Sequence, residues 1–199
     1  YRDRRQRQMC IRDRHIIIDR DGVINHDSES YIKNPSEWNA IDGSLEAIKL
    51  LTDSNFNIYI ATNQSGINRG IIKYSDFVDI NVKMLSAIST AGGEIAAITY
   101  CPSQPDENSP NRKPNIGMFT SLASRFNFNL KDCYSIGDSP RDIEASVNSG
   151  CKPIAVKTGN GKLIEKDNTH KVKIFDNLLA AVKYIICLLY TSPSPRDLY

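Results

Sequence analysis

Six short apolar runs punctuate this chain, at residues 16–18, 58–61, 95–100, 133–136, 153–156 and 172–175. Between several of them lie stretches whose apolar side chains return every three or four residues. Leu45, Ile48, Leu50 and Leu51 form one such stripe, Phe77, Ile80, Met84, Leu85 and Ile88 a second, and Met118, Leu122 and Phe126 a third. Runs so short and so rich in β-branched residues suit buried strands, and the longer stripes suit helices laid over them. Strand and helix alternate without internal repeats, which predicts an α/β fold: a single domain with a doubly wound, mostly parallel sheet. Ser44, Ser75 and Asp176 are the expected N-caps of three helices, and Gly92-Gly93 and Gly150 the expected stops.

In an open parallel sheet, ligands gather at the carboxyl ends of the strands. Those ends carry reactive groups here. The first run leads into Asp19-Arg20-Asp21-Gly22, the second into Thr62-Asn63-Gln64-Ser65-Gly66, and Lys113 follows the third. The fourth ends in Gly137-Asp138-Ser139, with Asp142 just beyond. Singly, each has a bland reading: a turn for Asp-x-Asp-Gly, a cap for Thr62, a surface lysine, an Asx turn at Asp138. Two acids, a hydroxyl, an ammonium and a further acid at one sheet edge are hard to explain by turns alone. An EF-hand is excluded, because Val23 and Ile24 stand where that loop needs an acid and a glycine.

The formal charge of +2 misleads about partners. Residues 1–14 hold six arginines against two aspartates, a net of +4, which leaves −2 for the rest. Residues 1–14 and 187–199 both look like translated sequencing-adapter read-through, so 15–186 is the expected folded domain. The five cysteines are scattered and form no Cys-x-x-Cys pair, which favours a reducing compartment. No signal-peptide pattern is visible and the apolar run 184–190 is too short to span a bilayer. A cytoplasmic monomer with no nucleic-acid or membrane partner is the expectation.

The strand-end residues in this order resemble the haloacid dehalogenase superfamily of phosphatases: Asp19-Arg20-Asp21-Gly22, then Thr62, then Lys113, then Gly137-Asp138 with Asp142. Within it, residues 19–25, Thr62-Asn63-Gln64-Ser65-Gly66-Ile67 with Arg69-Gly70, Arg112-Lys113-Pro114, and Val156-Lys157-Thr158-Gly159 resemble one branch. That branch comprises the D-glycero-D-manno-heptose 1,7-bisphosphate 7-phosphatases and the histidinol-phosphate phosphatases. The resemblance implies a phosphomonoester hydrolase acting on a phosphorylated sugar, in ADP-heptose and lipopolysaccharide synthesis, or else on histidinol phosphate. It implies Asp19 as nucleophile forming an aspartyl-phosphate, and Asp21 as acid and then base in an environment that raises its pKa. Thr62 and Lys113 would hold phosphoryl oxygens, and Mg²⁺ would bind Asp19, the Asp21 backbone carbonyl and Asp138.

Thr62 lies 43 residues after Asp19 and Lys113 another 51 on, intervals already filled by a loop, a helix and a strand. Neither has room for a cap domain, so the fold is expected to be capless, with specificity in loops. The expected substrate contacts are Asp27, Tyr31, Asn63, Gln64, Ser65, Arg112 and Ser139. Arg112 suits a second phosphate, which a guanidinium grips bidentately, whereas Asp106 and Glu107 suit an amine. In this branch the third loop holds zinc through Cys-x-His and Cys-x-Cys. Here Cys101 stands with Ser103, Ser109 and Asn111, so no zinc is expected. A P-loop and a serine-hydrolase elbow are both absent.

Overall fold

The computed structural model describes residues 14–191. Six strands form one sheet: β1 (Arg14–Ile18), β2 (Phe56–Asn63), β3 (Ala97–Cys101), β4 (Tyr134–Gly137), β5 (Lys152–Val156) and β6 (Lys173–Phe175). Their order is β3-β2-β1-β4-β5-β6, and every pairing is parallel. The direction of winding reverses between β1 and β4, which opens a crevice at their carboxyl ends.

The helices are α1 (Ser44–Asp53), α2 (Ser65–Asn68), α3 (Tyr74–Thr90), α4 (Gly117–Phe126), α5 (Pro140–Ser149), α6 (Gly161–Lys166) and α7 (Leu178–Thr191). Strand side chains alternate between two cores, as the period of two demands. Ile16, Ile18, Ile58, Ile60, Ile136, Ile154 and Val156 pack against α1, α3 and α7 through Ile48, Leu51, Ile80, Met84, Val182 and Ile185. On the opposite face Ile17, Tyr59 and Ala61 meet Met118, Phe119 and Leu122 of α4, with Ala145 of α5. Leu51, Ile80 and Ile48 are fully buried. At about 25 cal/mol per Å² of apolar surface, burying each such side chain stabilises the fold by roughly 1.5–3 kcal/mol.

Three caps differ from expectation. Gly43, at φ +80°, caps α1, and Ser44 sits inside the helix, where its hydroxyl donates to the Ile24 carbonyl at 2.7 Å. Lys73 rather than Ser75 precedes α3. Asn177 accepts from the Ala180 amide at 3.0 Å at the start of α7, while Asp176 pairs with Lys157 at 3.1 Å. Residues 1–13 and 192–199 of the two expected tails lie outside the described residues. Arg14, assigned to the first tail from sequence, opens β1 and donates to the Ser54 carbonyl at 3.0 Å. Residues 187–191 continue α7, because the apolar stripe persists and Leu189 packs on the core.

Candidate active site

Asp19 is the first residue beyond β1, and its amide donates to the Ile136 carbonyl of β4 at 2.9 Å. Its carboxylate therefore stands over the crevice. Lys113 reaches the same point from the loop after β3, guided by Asn63 at the end of β2. The Asn63 side chain accepts from the Lys113 amide at 3.1 Å and donates to its carbonyl at 3.0 Å. Lys113 is 3% exposed, and its ammonium donates to Asp19 Oδ1 at 2.7 Å and to the Ala61 carbonyl at 2.8 Å. It also pairs with Asp142 Oδ1 at 2.6 Å. Asp142 completes a capping box on α5, where its Oδ2 accepts from the amide and hydroxyl of Ser139. Burial would lower the Lys113 pKa, but Asp142 and Asp19 raise it and keep the ammonium charged.

Asp138 is held by the Asn160 amide, which donates to its Oδ2 at 2.7 Å. Two glycines let the backbone crowd in on it. A Cβ on Gly22 (φ +82°) would lie 2.2 Å from Asp138 Oδ2, and one on Gly159 (φ +59°) would lie 2.1 Å away. Asp19, Asp138 and Asp142 each bring a carboxylate oxygen within 4.8 Å of the others. Burial pushes the Asp19 carboxyl up to about 7, with Lys113 opposing and Asp142 adding to the rise. Asp138 is pushed up to about 8 by burial, then by the charges of Asp19 and Asp142. Asp142 is net lowered, because the Lys113 ion pair outweighs its burial. Three carboxylates against one ammonium leave an excess of negative charge. A divalent cation on Asp19 and Asp138 matches that excess, and hard oxygen donors are the ligands Mg²⁺ takes.

Asp21 departs from expectation. Burial pushes its carboxyl up, but the Arg20 charge and hydrogen bonds from Arg20, Asn25 and Gln64 outweigh it and bring the pKa below the usual value. The expected environment that raises the pKa is not present, because the spacer arginine turns inward onto its neighbour.

Thr62 is buried, and its hydroxyl accepts from Gln64 Nε2 at 2.9 Å; the same nitrogen donates to Asp21 Oδ2 at 2.7 Å. Gln64 thus bridges two site residues. Asp19, Asp21, Thr62, Lys113 and Asp138 all line a cleft of about 310 Å³. Asp27, Tyr31, Asn63, Gln64, Ser65 and Arg112 line it too. Ser139, expected at the substrate, does not: it is 5% exposed and committed to Asp142. Asp106 and Glu107 are likewise absent from the lining, and Glu107 accepts from Asn68 at 3.4 Å.

Arg69 and Arg141 join Arg112 around the cleft. Burial lowers the Arg112 pKa, and the neighbouring charges of Arg141 and Arg69 lower it further. Arg112 and Arg141 also border an adjoining cleft of about 350 Å³ under the loop that carries Lys113. That loop is tied by hydrogen bonds. Arg112 donates to the Ser103 carbonyl at 2.7 Å, Asn115 to the Ser109 carbonyl at 2.9 Å, and the buried Cys101 thiol to the Ser109 hydroxyl at 3.7 Å.

Sequence reasoning misses Asp142 as the partner of Lys113, Arg141 and Arg69 as cleft residues, and Arg20. The motif Gly137-Asp138-x-x-x-Asp142 is the one available signal for Asp142.

A family model for HAD-hydrolase-like proteins matches residues 110–181. The D-glycero-β-D-manno-heptose-1,7-bisphosphate 7-phosphatase of Pseudomonas putida is 40% identical over 172 residues, covering 86% of this chain and 98% of the relative. The corresponding protein of Bordetella bronchiseptica is 44% identical over 147 residues, 74% of this chain and 82% of the relative. A crystal structure of the D,D-heptose 1,7-bisphosphate phosphatase from B. bronchiseptica, complexed with magnesium and phosphate, superposes with a TM-score of 0.83. It is 37% identical, covering 88% of this chain and 99% of that one. The carboxylate–lysine cluster at the switch point and these similarities agree: the chain belongs to the haloacid dehalogenase-like hydrolases, in the family of heptose-1,7-bisphosphate 7-phosphatases, and is a phosphatase.

Proposed function

We propose that this phosphatase removes the 7-phosphate of D-glycero-D-manno-heptose 1,7-bisphosphate by way of an aspartyl-phosphate on Asp19, with Mg²⁺ as cofactor. The observation that carries the substrate reading is the set of three arginines, Arg69, Arg112 and Arg141, around a cleft whose floor already has a lysine for one phosphoryl group. A second phosphate needs such guanidinium donors, and a substrate ending in an amine is repelled by them. The names of the relatives point the same way.

Asp19 attacks phosphorus while Lys113 and Thr62 hold oxygens of the phosphoryl group, over which the charge spreads during transfer. For the first step Asp21 carries a proton in place of its Gln64 hydrogen bond and passes it to the departing sugar oxygen. It then takes a proton from the water that opens the acyl-phosphate. Asp19 and Asp138 would hold Mg²⁺, which would supply further neutralisation of phosphoryl charge. The loop of residues 101–117 is tied by hydrogen bonds at Ser103, Ser109 and Asn115, and elemental analysis should find no stoichiometric zinc.

The test is phosphate release from heptose 1,7-bisphosphate and from histidinol phosphate under the same conditions. A higher kcat/KM for the bisphosphate is expected. A higher value for histidinol phosphate overturns the substrate and favours the amine-bearing alternative.

A further inference from the structure

Arg20, the spacer between the two strand-end aspartates, has no part in the chemistry above, yet it is 1% exposed. Its Nε donates to Asp21 Oδ1 at 3.1 Å and its terminal nitrogen to Oδ2 at 2.9 Å. The guanidinium lies 5.7 Å from the centroid of the Phe77 ring on α3. Asn25 Nδ2 adds a second bond to Oδ1 at 2.9 Å, and Gln64 Nε2 a second to Oδ2 at 2.7 Å. Four donors thus converge on one carboxylate, two on each oxygen. A carboxylate offers about four lone-pair directions, all of which accept here, so a carboxylic acid would have to give up a bond to carry its proton. A buried guanidinium is tolerated only against a well-aligned opposite charge. The four bonds fix the orientation of the Asp21 carboxyl group.

We propose that Arg20 is a positioning residue that holds Asp21 as the oriented carboxylate which serves as base when the aspartyl-phosphate is hydrolysed. The inference rests on the roles given above to Asp19 and Asp21. In that step a water O–H bond breaks and its proton passes to Asp21. The water oxygen bonds to phosphorus, and the bond from phosphorus to the Asp19 oxygen breaks, releasing phosphate and restoring the Asp19 carboxylate. Asp21 must accept a proton here whatever the substrate was. In the first half-reaction a proton is needed only when the leaving group is a poor one, such as a sugar alkoxide. Gln64 is the one donor of the four that comes from the end of β2, across the cleft. Its place on Oδ2 is where the water's proton can enter while Arg20 and Asn25 keep their grip.

The two half-reactions separate with p-nitrophenyl phosphate, whose phenolate leaves without a proton. With this substrate kcat/KM reports the steps up to phenolate departure, whereas kcat includes hydrolysis of the phosphoenzyme. The Mg²⁺-loaded full chain is compared with Arg20→Lys, which keeps charge but loses the bidentate pair, and with Arg20→Met. Both variants should lose roughly tenfold or more in kcat, with KM falling in step and kcat/KM held within about twofold. Both should show a burst of p-nitrophenolate approaching one equivalent per active site. A fall of kcat/KM together with kcat and no burst would mean that Arg20 merely supports the fold, and would overturn the proposal. Should Arg20→Met fail to fold, Arg20→Lys decides by the same two readouts. Asp21→Asn is the control. A burst in Asp21→Asn but in neither Arg20 variant refutes the positioning role alone, and no burst in Asp21→Asn refutes the base role on which it stands.

Discussion

The floor of the cleft and the residues around its rim carry opposite charge. On the floor, Asp19, Asp138 and Asp142 face a single ammonium, Lys113, and all four are largely withdrawn from water. Around the rim, Arg112 is half-buried and Arg69 and Arg141 are exposed. Buried like charges are expensive and persist where a ligand relieves them. Exposed charges cost little and act by attraction and hydrogen bonding. On the proposed function, the floor serves the reaction and a cation, and the rim holds a distant anionic group. Perturbing each should leave a different kinetic signature.

The largest effect is expected at the floor. Asp19→Asn should lower kcat by at least about 10³-fold for every phosphomonoester, because the proposed nucleophile is gone. The melting temperature should not fall, since the change relieves negative charge. Near-normal phosphate release from the purified variant would break the assignment of chemistry to the floor.

Next comes the metal. Chelation with EDTA should abolish activity and Mg²⁺ restore it. The thermal signature has a definite sign. Asp19 and Asp138, at about 7 and about 8 in the metal-free fold against 3.8 ordinarily, retain protons that the unfolded chain releases. Their contribution to stability is complete below about pH 4 and is lost as the pH rises to about 8. Metal-free protein should therefore lose melting temperature over that window. The rise on adding Mg²⁺ should be larger at about pH 8 than at about pH 5.5. Equal rises in scanning fluorimetry would show that the cation does not relieve the carboxylate cluster.

The rim should answer selectively. Arg112→Ala should cost about 10–100-fold in kcat/KM for heptose 1,7-bisphosphate, the range of a lost charge-assisted hydrogen bond to phosphate. A simple monophosphate ester should lose far less. Equal losses on both substrates would erase the distinction between floor and rim. The smallest effects belong to Arg69→Ala and Arg141→Ala, about 3–10-fold on the bisphosphate and shrinking with added salt, because these side chains are exposed and screened. Salt-independent losses would place them inside the chemistry instead.

Much of this division is legible in the order of the residues alone. Asp19, Thr62 and Asp138 declare themselves because a short β-branched run followed by a reactive side chain fixes both direction and place, whereas Lys113, in the loop after β3, is placed by its bonds to Asn63 and Asp19. What stays hidden depends on contacts made across the fold. Nothing in the sequence marks Arg20, since arginine is seldom buried, and only the partners Asp21 and Phe77 reveal its place. Ser139 reads as a substrate contact and Asp142 as the end of the Gly-Asp-x-x-x-Asp motif, whereas together they cap α5 and the other oxygen of Asp142 meets a lysine from another loop. Asn63 reads as a substrate contact, but its amide group is consumed in fixing the Lys113 backbone. The cap expected at Ser44 is lost because its hydroxyl is committed to the Ile24 carbonyl, and the one expected at Asp176 because Asn177 accepts at that helix end instead.

The Lys113 ammonium is tied to Asp19 across 94 residues of chain and to the Ala61 carbonyl across 52. Such contacts close only after long loops have paid their entropy, so they form late relative to local helices. A chain that has paired β1 with β2 and formed its helices would show most of its secondary structure and still lack Lys113 beside Asp19. Recovered activity is therefore a stricter measure of completed assembly than circular dichroism. The reactive centre is complete only once β1, β2, β4 and the loop after β3 have met.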